Sequence, residues 1–187
     1  MLEYTRLFSN LPETSDIYRN KETIAMEKPS VANQEFVGAS RNKGSEPPSV
    51  QGIGQFKLQL TLNGSPIGWF GLGGTGSYWG CVVTNEKDAT IMSEYAYNGH
   101  NYLRSAAGYY MTWSGTLSGS PIAFNYWSYA NGWKLVGSEL IPDDKPDGKM
   151  SLYSSDSGWL YANSGYSVLG VKKVPVSANA DAAVSNR

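Results

Sequence analysis

Thr61-Leu62-Asn63-Gly64-Ser65-Pro66-Ile67-Gly68-Trp69 is echoed about 55 residues later by Thr116-Leu117-Ser118-Gly119-Ser120-Pro121-Ile122-Ala123-Phe124, a spacing that suits an internal duplication. In each copy Gly and Ser supply a turn, and Pro sets φ at the start of a strand, where no ladder N–H is needed. The similarity runs on collinearly. Trp79 aligns with Trp133, Met92-Ser93-Glu94-Tyr95 with Met150-Ser151-Leu152-Tyr153, and Gly108-Tyr109 with Gly165-Tyr166. Ile141-Pro142-Asp143-Asp144 then counts as an insertion in the second copy. The expectation is two tandem units of about 55 residues, each of five strands, closed by one final strand.

Outward from that repeat, β-branched and aromatic runs alternate with Gly, Asn, Ser and Asp turns. Strands are expected near 55–62, 66–72, 78–84, 89–95, 101–106, 109–117, 121–127, 132–140, 149–154, 158–162 and 166–175. Phe56, Leu58, Leu60 and Leu62 alternate with polar neighbours, as a half-buried strand requires. No stretch here keeps a helical period. The fold class is all-β, and such a chain closes its edges as an antiparallel barrel or a two-sheet sandwich. Residues 149–162 have the cadence of a β-trefoil lobe, which makes a trefoil-like fold the alternative. A trefoil asks for three lobes, and two copies are read.

The flanks differ in material. Residues 1–50 contain no Trp, whereas residues 51–170 hold all six. The first 50 residues read as an arm or linker with one short helix from Asp16 to Lys28, stopped by Pro29. The duplicated β domain spans 51–176, and 177–187 reads as a loose tail.

Composition narrows the function. With 17% charged residues and a net charge of −1, the chain carries no footprint for nucleic acid. No apolar run reaches the length of a membrane span. The N-terminus lacks the basic-then-apolar build of a signal peptide, so a cytoplasmic or leaderless released protein is expected. Cys81 and His100 are the only thiol and the only imidazole, so no internal disulfide forms, and a His-based metal or catalytic device has little material. No catalytic residue, metal ligand or cofactor is expected.

Aromatic and amide side chains carry the functional reading. Flat rings beside Asn, Ser and Gly suit a sugar, whose CH face stacks while its hydroxyls meet amides. Trp79 and Trp133, at matched positions, are assigned to the core. Trp127 has no aromatic twin in the first copy, so Trp127, Tyr129 and Asn131 are expected to face a ligand. The turn Tyr97-Asn98-Gly99-His100-Asn101 and its counterpart around Asp156 and Trp159 form a second candidate, with Asn98-Gly99 a strong hairpin signal. Asp143-Asp144-Lys145-Pro146-Asp147-Gly148 lacks the spacing of a calcium loop and reads as a solvated turn. The resulting expectation is a non-enzymatic, lectin-like protein with a glycan or glycoconjugate as partner. Two alternatives stand beside it: a self-assembling subunit, homo-oligomeric through its arm, and a β-rich pore-forming or host-targeted toxin.

Overall fold

A computed structural model describes residues 54–73, 78–115, 119–153 and 158–176. The arm 1–50 with its expected helix, the tail 177–187, Asp156 and the Thr116–Ser118 part of the second copy lie outside the described residues.

The described chain is all-β, with two short 3-10 turns at Glu86–Asp88 and Trp127–Tyr129. Strand β1 (Gln55–Leu62) pairs with β13 (Gly170–Pro175) from Phe56 opposite Pro175 to Thr61 opposite Gly170. At its start β1 also meets β4 (Met92–Tyr97). β4 and β5 (His100–Ser105) form a hairpin from Met92 opposite Ser105 to Tyr97 opposite His100, and β8 (Trp133–Val136) pairs with β9 (Glu139–Pro142). β5 lies against β8 and β9 against β13. These six strands make a nearly closed antiparallel barrel, and each sends an apolar side chain inward. Leu58 and Leu60 of β1, Met92, Leu103, Trp133, Leu140 and Val171 meet in one core. The alternation along β1 is the pleat itself: Phe56, Leu58 and Leu60 are buried, and the residues between them are not.

Three hairpins cap the barrel: β2 (Ser65–Leu72) with β3 (Gly80–Val83), β6 (Tyr110–Trp113) with β7 (Ile122–Asn125), and β10 (Met150–Leu152) with β11 (Leu160–Ala162). They join cyclically. The Phe124 N–H donates to the Tyr78 carbonyl at 2.8 Å, Ala162 N–H to Ser120 at 2.9 Å, and Val82 N–H to Gly158 at 2.7 Å. Lower down, Thr90 N–H donates to Phe70, Asn131 N–H to Met111, and Leu169 N–H to Met150. Positions 78, 120 and 158 are therefore equivalent, about 40 residues apart. The arrangement is three four-stranded units around a pseudo-threefold axis, a β-trefoil topology, with the two-residue strand β12 (Ser167–Val168), paired to β10, as an addition to the third unit.

The all-β antiparallel barrel agrees with the sequence reading, but the two tandem 55-residue units do not appear. Their aligned residues fall at non-equivalent places: Trp79 bridges to Ala123 in the cap, while Trp133 opens barrel strand β8. Met92 opens barrel strand β4 and Met150 a cap hairpin. The misreading has a local origin. The expected strand 132–140 is two strands, β8 and β9, reversed at Gly137 with φ +61°. Missing that turn merged two units, and left Ile141-Pro142 looking like an insertion when it belongs to β9.

Candidate functional site

The hairpin joining β4 to β5 turns at Asn98 (φ +48°) and Gly99 (φ +78°), two successive left-handed residues that match the twist of the strands. It presents His100 at the head of β5. From the other side, Asp143 follows β9, and its N–H donates to the Gly132 carbonyl at 2.9 Å, tying this loop to the entry of β8. The two side chains meet. His100 Nδ1 lies 2.7 Å from Asp143 Oδ2, and because a carboxylate only accepts, Nδ1 carries the proton.

Beneath them sits a closed polar network. The Asn131 amide nitrogen donates to both Asp144 oxygens, at 2.8 and 2.9 Å, and Trp113 Nε1–H donates to Asp144 Oδ1 at 3.1 Å. Asn131 Oδ1 accepts from the Trp113 N–H at 3.2 Å, with the Thr112 hydroxyl at 2.7 Å. Asn131 is 1% exposed, so each end of its amide must be satisfied internally, and it is. His100, Asp143, Asn131 and Asp144, together with Tyr102, Ala130 and Gly132, line a cavity of about 190 Å³.

Gly132 is needed for closeness. A methyl there would overlap the Asp143 carboxylate and stand 3.0 Å from His100 Cβ. Gly132→Ala is expected to part the His100–Asp143 pair at a cost of about 1–3 kcal/mol, the range for overpacking. Loss of the hydrogen-bonded imidazole N–H resonance, with a lowered melting temperature, checks it. An unchanged resonance would show that the loop yields instead.

The structure gathers only part of the expected site. His100 and Asn131 share the cavity, with Asn131 as its buried scaffold and not a free amide. Trp127 is corrected outright: it is 6% exposed, enclosed edge-on by Tyr97, Tyr102 and Tyr110 at centroid distances of 5.6, 4.8 and 5.2 Å. Its want of a twin reflected a core particular to one unit, not a ligand. Tyr95, Tyr102, Tyr110, Trp127 and Ala130 form a second core, and Tyr97 packs against it. Tyr129 is half-buried, and its carbonyl oxygen lies 2.7 Å from the Thr112 hydroxyl. Asn98 and Asn101 are exposed on the turn beside the cavity and do not line it. Trp159 is half-buried in the cap, bridged to Cys81. Asp143, Asp144, Tyr102 and Gly132 were not anticipated. The Asp-Asp pair directly after the β9 proline is the signal for them in the sequence, and in place of the expected solvated turn its carboxylates pair with His100 and Asn131.

A separate tyrosine group lies away from the cavity. Tyr78 and Tyr126 flank Tyr109 at 5.0 and 5.6 Å, and the first two are 44% and 66% exposed. Hydrogen bonding to Tyr78, then the proximity of both phenols, pushes the Tyr109 hydroxyl above its ordinary pKa. Around Tyr161, burial has the same effect, reinforced by Tyr166 and Tyr153.

No family model matches the sequence, and no curated protein matches it. Among solved structures, the chain is similar to the GlcNAcα1-4Gal-releasing endo-β-galactosidase from Clostridium perfringens, at 16% identity and a TM-score of 0.49. The match covers 67% of this chain and 33% of that one, so it spans about a third of that enzyme's length.

Proposed function

We propose that the chain binds carbohydrate, without turning it over, in the cavity headed by His100 and Asp143. The observation that carries this reading is the preformed pair: His100 Nδ1 is already 2.7 Å from Asp143 Oδ2, above the Asn131–Asp144 network. A sugar hydroxyl gains from polar atoms that are fixed before it arrives, because their ordering cost is met in the fold. Tyr102 and Ala130 supply apolar lining. At about 190 Å³ the cavity is smaller than the roughly 300–1,000 Å³ of sites that engulf drug-sized ligands. It suits one sugar ring, such as the end of a glycan chain.

The pseudo-threefold axis does not multiply the site. The backbone position of Asn131 is taken by Thr90 and Leu169 in the other units. The Asp143 N–H bond to Gly132 is repeated by Ala106 to Ile91, which places an alanine where the carboxylate stands. One site per chain is expected, in place of the two that a duplication would offer. Among the described residues nothing favours the self-assembly or toxin readings over this one, and no described helix is long and apolar enough to cross a membrane.

A glycan array followed by calorimetry on the best ligand tests the proposal. The expected result is a stoichiometry of one, with binding weakened about tenfold in His100→Ala, the upper end of the range for losing one neutral hydrogen bond. Silence on every glycan sinks the reading, and release of new reducing ends would make the protein an enzyme.

A further inference from the structure

We infer, resting on the carbohydrate reading of this cavity, that it takes a neutral sugar through two hydroxyl donors and rejects acidic sugars. The reason lies in which lone pairs and protons the fold has already used. Asn131 is buried, and both ends of its amide are engaged inside the protein. Asp144 receives that amide and the Trp113 indole N–H. Neither offers a ligand a ready donor.

Beside the exposed Asp144 carboxylate, the cavity presents the His100–Asp143 pair, whose side chains are 50% and 23% exposed. Asp143 spends Oδ2 on the imidazole, which leaves Oδ1, an acceptor. In the neutral imidazole, with its one proton on Nδ1 toward that carboxylate, Nε2 is the second acceptor. Two acceptors on two adjoining groups match two hydroxyls on adjoining carbons of a sugar ring. A carboxylate or sulfate on the ligand brings no proton to either atom. It also places negative charge beside Asp143 and Asp144, in a partly desolvated cavity where repulsion is weakly screened. Gly132 adds to the selection by keeping the pair close, since any side chain there would press on both members.

The test uses the full chain against neutral oligosaccharides and the same glycans ending in sialic acid or glucuronic acid, at physiological salt. The wild type is expected to favour the neutral set by at least about tenfold, the scale of one lost hydrogen bond to a charged group. Asp143→Asn, which keeps the shape and brings an N–H donor, should lose neutral binding by about tenfold and narrow the preference. His100→Ala serves as the second variant should Asp143→Asn fail to fold. It removes one acceptor and leaves both carboxylates, so neutral binding falls and acidic glycans stay excluded. Equal or better binding of acidic glycans by the wild type overturns the inference and leaves the carbohydrate reading standing. A preference that both variants leave unchanged overturns it as well, because the discrimination would then come from elsewhere. Binding of no glycan at all overturns the carbohydrate reading and the inference with it.

Discussion

Trp133→Ala is expected to lower stability by about 3–5 kcal/mol, the range for removing a buried tryptophan. The indole is 2% exposed, and it lies in the barrel core with Leu58, Leu60, Met92 and Leu140. Its Nε1–H donates to the Met111 carbonyl at 3.2 Å, so the truncation leaves a cavity and a buried acceptor that has lost a donor. Trp127→Ala should fall in the same range, with a different mechanism. Here the loss is three edge-to-face contacts, each worth roughly 0.5–1.5 kcal/mol beyond area burial, to Tyr97, Tyr102 and Tyr110. Tyr102 also lines the cavity, so Trp127→Ala loosens the site while it destabilises the fold. Urea midpoints of the two variants decide the matter. A wild-type midpoint for Trp127→Ala would mean that its ring is not core.

The second large effect concerns a single amide. Asn131→Asp keeps the acceptor that faces Thr112 and Trp113 but replaces the donor toward Asp144 with a second carboxylate oxygen. Two anions would then meet where the amide now sits 2.8 and 2.9 Å from Asp144. Breaking a buried charge pairing costs about 3–5 kcal/mol, and because Asp144 is exposed and can turn toward water, about 2–4 kcal/mol is expected here. The new carboxyl would be pushed up by the neighbouring charge and by burial. A folded pKa above the unfolded one means that the native state holds the proton more tightly. The variant is therefore closest to wild type below the ordinary aspartate pKa of about 4, and its stability is lost as pH rises through the raised value. Midpoints measured at pH 4 and pH 7.5 should diverge in the variant well beyond the wild type. Equal midpoints at pH 7.5 would show that the Asn131–Asp144 contact holds nothing.

How far a residue's role could be read depended on the range of the interaction that sets it. Trp79 and Trp133 were assigned to the core and are buried, although the duplication that motivated this has no structural counterpart. Trp133 is core because its strand faces the barrel interior, and Trp79 is buried where it bridges to Ala123 in the cap. Asn98-Gly99 was read as a tight turn and is one, since left-handed φ at two successive residues is a property of the dipeptide. Gly137 performs a similar reversal between Val136 and Ser138, without the asparagine that would have announced it. That one unrecognised turn changed the count of units from three to two. Trp127 was misplaced for a related reason. A ring present once can serve a ligand or fill a core particular to one unit, and only its neighbours distinguish the two.

The sequence by itself determined the all-β class, the course of β1, the hairpin that carries His100 and the poverty of acid–base groups. Each of these is written within a few residues, in side-chain alternation, turn chemistry or plain composition. The tertiary structure alone decided the threefold cap, the closure of the barrel and the cavity. His100 and Asp143 are 43 residues apart, and the bonds from Phe124 to Tyr78, Ala162 to Ser120 and Val82 to Gly158 join separate units. A strand's pattern states which face it buries and leaves open which strand will lie beside it. That choice belongs to closure of the whole sheet, which pairs every edge at once and so brings the histidine that opens β5 and the two aspartates that follow β9 to one cavity.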